Sequence, residues 1–355
     1  FSVYSIIMEN NSQPLVSIII LNYNAGDFLM ECISSVLKTE YSNFEVIVID
    51  NASKDGSIKK CKEQFKNVSI IENKNNLGYC EGNNVGIREA RGSFVVILNP
   101  DTVVKPDWMD ELFEAFKKYG DGLYQPKILS IENDNILGNA GSYIQLFGFG
   151  YAKGYGERDS EQYDTENSPV YASGTCLFSK KSTFEKLGMF DPFLFAYHDD
   201  LDLGWRANLE GINSWYVPKS IIYHKLGGYS FGWSRSKFFL LERNRIYCLL
   251  THYSHKTLIK MLPALILVDF AVILFYLKKG MIREKAQVTI SILKNLKKIN
   301  QRYAYIQKRR KFNDSVIIKK FRDEIFTPPS VLDKETNKFL NTFIGGLSKL
   351  TRFFI

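Results

Sequence analysis

Val95-Val96-Ile97-Leu98-Asn99-Pro100-Asp101-Thr102 decides the fold class of this chain. An uncharged apolar run stops abruptly at a carboxylate. A strand apolar at every position is buried on both faces, as in a parallel sheet. Asp101 then sits just past the carboxyl end of that strand, the edge of an open α/β sheet where ligands bind. A carboxylate there suits a divalent cation, and the cation suits a diphosphate. A strand ending in Asp is also a common turn signal, so the weight of the motif comes from its flanks.

Upstream, Val16 to Asn22 predicts a first buried strand, Phe44 to Asp50 a second ending on a carboxylate, and Val68 to Glu72 a short third. Phe28 to Leu37 has helical spacing, with Phe28, Cys32, Ile33, Val36 and Leu37 on one side. Asn51 to Ser57 reads as a turn with Ser57 as helix cap, and Asn83 to Ala90 as the next helix. Alternating strands and helices with short connections predict an α/β fold, its mostly parallel sheet covered on both faces. From Gly120 the pattern loosens, and Gly138 to Gly156 reads as loops with short strands. Val170 to Ser179 predicts a strand interrupted by Gly174. Helices are expected over Ser182 to Leu187 and Asp202 to Glu210, and two short strands over Asn213 to Val217 and Ile221 to His224.

Composition narrows the class. The 355 residues are 45% hydrophobic and 14% aromatic, enough core for one large domain or two modest ones. Cys32, Cys61, Cys80, Cys176 and Cys248 are odd in number and contain no C-x-x-C pair. That argues for a reducing compartment, without a disulfide framework or structural zinc. Four histidines argue against a multi-histidine metal centre. The net charge of +8 is uneven: from Lys278 onward 19 Lys/Arg face 6 Asp/Glu, while the preceding 277 residues carry 27 against 32. An acidic body with a basic tail argues against nucleic acid as partner and for a catalytic body held to an anionic membrane surface.

Phe1 to Ile7 is apolar, but it is too short and lacks the basic start of a secretory signal; Met8 is a candidate natural start. Leu262 to Leu277 carries one charge, Asp269, and contains Pro263. As a helix it would measure about 24 Å, short of the ~30 Å hydrocarbon core. A buried core helix, half of a re-entrant hairpin and an interfacial anchor all fit. Beyond it, Lys278, Lys279, Arg283, Lys294, Lys297, Lys298 and Lys308 to Lys311 interleave with Ile282, Val288, Ile292 and Leu296. Such interleaving marks a membrane-surface helix; a solvated helix packed on the domain is the alternative. The expected organisation is an extension over 1–15, a catalytic domain over 16–255 and a helical, membrane-associating region over 256–355. The expected location is the cytoplasmic face of the cell membrane.

Five motifs occur in order: Val16-Ser17-Ile18-Ile19-Ile20-Leu21-Asn22-Tyr23-Asn24; Val48-Ile49-Asp50-Asn51-Ala52-Ser53; Asn76-Leu77-Gly78-Tyr79 with Gly82-Asn83-Asn84; Leu98-Asn99-Pro100-Asp101; and His198-Asp199-Asp200-Leu201-Asp202-Leu203-Gly204-Trp205-Arg206. In this order and spacing the chain resembles a family 2 glycosyltransferase of the GT-A fold, in the rhamnosyltransferase-like branch. The resemblance covers roughly Val16 to Tyr253. It implies an inverting, metal-dependent transferase that moves a sugar, with rhamnose one candidate, from a nucleotide diphosphate sugar to a glycan or lipid-linked acceptor.

The resemblance also implies roles. Asp50 would accept the N3–H of a uracil or thymine ring, with Tyr23 flanking it and Asn22, Asn24 and Asn51 alongside. Asn76, Gly78 and Gly82 would let backbone approach the nucleotide, since glycine lacks a Cβ. Asn83 and Asn84 would hold that loop or the sugar, or cap the following helix. Asp101 takes the last position of a D-x-D metal motif whose first position is here Asn99. His224 stands as the third metal-side residue, for Mn²⁺ or Mg²⁺. Asp200 would be the general base, with its pKa raised by neighbouring carboxylates. Asp199 and Asp202 would stand at or behind the acceptor site, and Asp199 could instead only cap the helix. Trp205 and Arg206 match the family's Trp-Arg pair, Trp205 walling the acceptor site or packing the helix. Gly174 would leave room for the donor sugar, and Arg243 and Arg245 would neutralise the diphosphate or form surface ion pairs. Asp50, Asp101 and Asp200 should then converge in one crevice. A nucleotidyltransferase and a non-catalytic scaffold of the same fold are the alternatives. The loop Asn22 to Asp27 lacks the Gly-rich, basic character a nucleotidyltransferase needs.

Overall fold

The computed structural model describes residues 13–228, 234–325 and 334–355; Phe1 to Ile7 and Met8 lie outside the described residues. The chain opens with β1 (Val16–Asn22), α1 (Asp27–Val36), β2 (Phe44–Asp50), α2 (Ser57–Gln64), β3 (Ser69–Glu72), α3 (Gly78–Glu89) and β4 (Phe94–Leu98). The four strands are parallel, in the order β3-β2-β1-β4. Successive side chains of a strand point to opposite faces, so an all-apolar strand needs cover on both. Ile19, Ile47 and Ile97 face the side that α3 covers, and Ile18, Val46 and Val96 face α1 and α2. Each such side chain contributes roughly 1.5–3 kcal/mol when fully buried.

The chain continues through β5 (Thr102–Val104), α4 (Trp108–Tyr119), β6 (Gly122–Ser130), β7 (Leu137–Asn139), β8 (Ser142–Ile144), β9 (Gly150–Ala152), β10 (Cys176–Lys180), α5 (Lys181–Leu187), α6 (Asp199–Glu210) and β11 (Asn213–His224). These extend the sheet as β4-β10-β6-β11-β5, with β7 beside β6; β8 and β9 pair separately. β10 is antiparallel to β4, and β5 to β11, so the sheet is mixed rather than uniformly parallel.

Several local expectations need correction. The buried stripe of α1 is Leu29, Met30, Cys32, Ile33 and Val36, which leaves Leu37 45% exposed. Gly56, at φ +81°, precedes α2 in the left-handed region, and Ser57 is the first helical residue rather than its cap. α3 starts at Gly78, which puts Asn83 and Asn84 inside the helix. α6 starts at Asp199, because three aspartates in its first turn favour the positive end of the helix dipole. Asn213 to His224 is one strand with a register shift between Val217 and Ile221, where Pro218 withholds a donor.

The remaining helices are α7 (Arg235–His252), α8 (His255–Lys278), α9 (Ile282–Lys294), α10 (Leu296–Arg309), α11 (Asp314–Ile317) and α12 (Lys334–Arg352). α8 has 24 residues with Pro263 inside it, about 36 Å of helix and longer than expected. It is long and apolar enough to cross a membrane by length and composition. Met261, Ala264, Val268 and Tyr276 face the protein, whereas Ile259, Leu262, Ile266, Phe270 and Leu274 are exposed. Its one carboxylate, Asp269, pairs with Lys285 at 2.5 Å, and Lys285 reaches Glu242 at 2.7 Å. The basic helices lie on the body: Arg302 meets Asp191 at 2.9 Å and Arg309 meets Glu210 at 2.8 Å. The boundary expected at 255/256 does not interrupt the core, since Met261, Ile292, Ile306 and Ile344 share one apolar cluster with Ile19. All five cysteines are buried and unpaired.

Candidate active site

The carboxyl ends of β1, β2 and β4 open into a cavity of about 680 Å³, with Tyr23, Asn51, Asn99 and Asp101 on its wall. The sheet places them there, since each follows a buried strand directly. Asn51 organises one side. Its Nδ2 donates to the Gly78 carbonyl at 2.9 Å and to Asn76 Oδ1 at 3.3 Å. Asn76 Oδ1 in turn accepts the Gly78 N–H at 2.8 Å. Gly78 has φ +76°, and a Cβ there would lie 2.5 Å from the Phe195 carbonyl oxygen. Neighbouring protein backbone, not only a ligand, thus demands glycine at this position. Gly82 is not on the cavity wall; a Cβ would meet Leu21 at 2.5 Å, so its smallness packs α3 on β1. Asn83 donates to the Tyr79 carbonyl at 2.9 Å, and Asn84 both donates to and accepts from the Phe190 backbone. Both brace α3 from within, away from the cavity and from its cap.

Asn22, Asn24 and Asp50 form a brace beside the cavity rather than part of its wall. Asn22 Nδ2 donates to Asp50 Oδ1 at 2.8 Å and to Ser57 Oγ at 2.9 Å. Asp50 Oδ2 accepts the Ser53 N–H at 3.1 Å, and Asn24 Oδ1 accepts the Lys54 N–H at 2.7 Å. The expected convergence of three carboxylates is therefore met by Asp101 and Asp200, while the oxygens of Asp50 turn to Asn22 and Ser53.

Asp101 is 2% exposed, and its Oδ1 stands 3.2 Å from His224 Nε2. The antiparallel pairing of His224 with Thr102 brings them together. Neither atom has a hydrogen-bond partner among the described residues. Two buried polar atoms left without partners are costly, and a carboxylate oxygen beside an imidazole nitrogen is a donor set that fits a divalent cation.

Across the cavity lie Asp199 and Asp200. Asp200 Oδ2 accepts the Gly174 N–H at 3.0 Å and Oδ1 the Leu201 N–H at 2.8 Å. A Cβ on Gly174 would fall 2.8 Å from Tyr79 Oη and 3.2 Å from Asp199 Oδ2, so this glycine keeps the gap between them open. Burial pushes both carboxyls up, Asp199 furthest, because the Asp200 charge adds to burial. Repulsion between carboxylates thus contributes as expected, but burial is the larger cause. The backbone N–H groups on Asp200 favour its ionised form, so its carboxyl is raised less than that of Asp199.

Asp202, half a turn on from Asp200, faces the opposite way. It accepts from Arg206 Nε at 2.9 Å, approaches His252 at 3.3 Å and is 0% exposed. Burial would raise its pKa, but Arg206, His252 and Arg302 outweigh burial and hold the carboxyl far below its ordinary range. Trp205 is fully buried, edge-on to Tyr253 and Phe321. It packs α6 against the C-terminal segment and does not wall an acceptor site. Arg206 also holds the carbonyls of Leu187 and Met189.

Arg243 is not on the cavity wall either. It donates to the carbonyls of Phe193 at 2.9 Å and Leu194 at 2.8 Å. Arg245 does line the cavity but is paired with Glu242 at 2.8 Å. In place of a diphosphate clamp, this segment clamps a strained loop. Phe195, Tyr197 and His198 all have positive φ, at 64°, 66° and 58°, a conformation costly outside glycine. Asn244 Nδ2 holds the carbonyls of Leu194, Ala196 and Tyr197 at 3.0, 2.9 and 2.7 Å. The loop delivers Asp199 and Asp200 to the cavity.

Known proteins carry the same pattern. Residues 17–186 match the family model described as glycosyl transferase family 2. That stretch is a little under half of the chain. An uncharacterized glycosyltransferase of Haemophilus influenzae is 32% identical over 142 residues, which cover 39% of each chain. The N-acetylglucosaminyl-diphospho-decaprenol L-rhamnosyltransferase of Mycobacterium tuberculosis is 25% identical over 59% of this chain and 76% of its own. The crystal structure of GalNAc-T7 with UDP, GalNAc and Mn²⁺ matches with a TM-score of 0.58 at 18% identity, over 71% of this chain and 51% of that one. That likeness shows the GT-A fold. The matches span 39%, 25% and 36% of the length of three of the relatives.

The cavity and its surroundings contain side chains that the motifs did not single out. Tyr79 Oη donates to the Gly174 carbonyl at 2.5 Å, tying α3 to the wall beside Asp199. His198 and Lys237 line the cavity. Tyr79 and His198 sit inside quoted motifs and were accessible to that extent. Asn244 and Lys237 carry no signal in sequence, because helix rotation decides which side of α7 faces the loop.

Proposed function

We propose that the chain is an inverting glycosyltransferase that moves a sugar from a nucleoside-diphosphate sugar to a hydroxyl of a glycan or lipid-linked acceptor. The observation that carries this reading is one cavity with Asp101 and His224 on one wall and Asp200 on the other. Asn51, Asn76 and Tyr23 would seat the nucleotide, and Asp50 is assigned the base N3–H on the resemblance alone. Asp101 and His224 would hold Mn²⁺ or Mg²⁺. When bound, such a cation offsets the charge that builds on a departing diphosphate. Asp200 takes the proton of the acceptor hydroxyl as that oxygen attacks the anomeric carbon from the face opposite the nucleotide. One displacement of this kind inverts the anomeric centre.

The test is a screen of UDP-, GDP- and dTDP-sugars, dTDP-rhamnose included, with Mn²⁺ present. Release of nucleoside diphosphate is expected, with Asp101→Asn lowering it about a hundredfold. Pyrophosphate as product, or no product from any donor, would refute the reading.

The proposal places the acceptor at the cytoplasmic face of a membrane. Support comes from the exposed Ile259, Leu262, Ile266 and Phe270 of α8 and from the basic residues after Lys278. Full-length chain should co-sediment with vesicles rich in phosphatidylglycerol. Phe270→Glu with Ile266→Glu should cut that binding at least tenfold, and equal sedimentation of both forms would remove the membrane from the proposal.

A further inference from the structure

Phe193 to His198 leads into α6 along a path that a chain would not take unaided. Phe195, Tyr197 and His198 stand in the left-handed region, where a side chain crowds its own backbone. The next two residues are Asp199 and Asp200. The path is held because every carbonyl along it has a donor. Arg243 donates to the carbonyls of Phe193 and Leu194, and the Cys80 N–H donates to that of Phe195 at 3.1 Å. Asn244 donates to those of Leu194, Ala196 and Tyr197. The His198 carbonyl accepts the Asp202 N–H at 2.8 Å and so already belongs to the helix.

Asn244 is the centre of this set. It is 0% exposed, and both ends of its amide are in use. Nδ2 serves three carbonyls, while Oδ1 accepts from Arg243 Nε at 2.9 Å and Nη2 at 2.8 Å. A guanidinium on the oxygen polarises the amide and strengthens the donor at its other end. The loop carbonyls turn toward α7 and α3, and on the other side Phe195, Ala196, Tyr197 and His198 line the cavity. Asn244 itself is not on the cavity wall.

We infer that Asn244 is a positioning residue for the transfer step, its amide fixing the backbone that sets Asp200 against the acceptor hydroxyl. The inference deepens the glycosyltransferase reading and rests on it. A loop shaped for folding alone would carry glycine at its left-handed positions, where glycine is unstrained. This loop carries three larger side chains that line the cavity, and a buried amide holds it in place. The placement of Asp200 is also narrow, since Oδ2 has to reach the Gly174 N–H at 3.0 Å. A loop released from Asn244 would let the first turn of α6 swing, and a misplacement of about 1 Å can cost roughly a hundredfold in rate.

Nucleoside diphosphate release by full-length protein from UDP-, GDP- and dTDP-sugars, with Mn²⁺, tests this. Asn244→Leu fills the same space without donors. It should lower kcat about a hundredfold, with the donor KM and the calorimetric affinity for UDP, GDP or dTDP each within about twofold of the parent. Asn244→Ser, which keeps one hydroxyl donor, should lose about tenfold in kcat, and it carries the test should the leucine prevent folding. Asn208→Leu is the control. Asn208 is also buried and holds the carbonyls of Val170 and Gly204, each at 2.7 Å, two turns further along α6. That variant should lower the melting temperature as much as Asn244→Leu and leave the kcat of folded protein within about twofold. Parental kcat in the Asn244 variants, a loss confined to KM, or an equal loss of kcat in Asn208→Leu would overturn the inference. If the parent releases nucleoside diphosphate and the Asn244 variants match it, the positioning role falls and the transferase reading stands. A parent that releases none from any donor ends the transferase reading first, and the inference with it.

Discussion

Asp200 and Asp202 stand half a turn apart on α6 and live in opposite surroundings. Asp200 faces a cavity, and among the described residues its carboxylate meets two backbone N–H groups and no cation. Asp202 faces the core, between Arg206, Arg302 and His252. Burial acts on both, and the neighbours decide the outcome: the Asp200 carboxyl moves up and the Asp202 carboxyl moves down. Spacing along the chain groups the two residues, while the helix face they occupy divides chemistry from structure.

The largest effect that would break this contrast comes from Asp200→Asn. Sugar transfer should fall by roughly 10²–10⁴-fold, the range for a general base, with nucleotide binding retained in calorimetry. Near-normal turnover would make the two aspartates alike. Arg206→Ala should instead spare the chemistry of the remaining folded fraction and cost about 3–5 kcal/mol of stability, because Asp202 would be left as a buried charge short of its main partner. Denaturant unfolding reads that loss. A variant as stable as the parent would show that the salt bridge carries no structural weight.

Asp199→Asn sharpens the contrast with the smallest effect. Folding raises the pKa of Asp199, so the folded chain binds a proton that the unfolded chain has already released near neutral pH. Stability attributable to this group is full below the ordinary carboxylate pKa and declines as pH rises toward the elevated one. Removing the titration should raise the melting temperature at pH 7 by about 1–2 °C, and the gain should vanish near pH 4. A gain that grows on acidification would reverse the assignment.

The contrast also separates what was legible in the sequence from what was not. β1, β2 and β4 were plain, because the unbroken apolar runs Ile18 to Leu21, Val46 to Ile49 and Phe94 to Leu98 call for a strand covered on both faces. Asp101 was plain for the same reason: it follows such a strand. His224 was placed correctly at the end of β11, although Pro218 made one strand read as two. Arg243 was misread, since it and Arg245 differ by two positions and so point to opposite sides of α7. Gly78 and Gly82 were read as yielding to a nucleotide, but Phe195 and Leu21 set their size. Trp205 was open between walling the acceptor site and packing the helix, and Arg206 was read only as its partner in the motif. The core that Trp205 fills comes from Tyr253 and Phe321, far along the chain, and no local pattern announces it. Contacts made between distant segments stayed hidden wherever no periodicity or strand end marked them.

The pairing of β5 with β11 has a consequence for synthesis. Thr102 and His224 are ladder partners, so the dyad they bring together closes only when nearly the whole domain has left the ribosome. A nascent chain that has exposed β1 to β4 already carries Asp101 but not the imidazole that stands beside it. On the proposed reading, its cation site would be completed only when β11 pairs with β5.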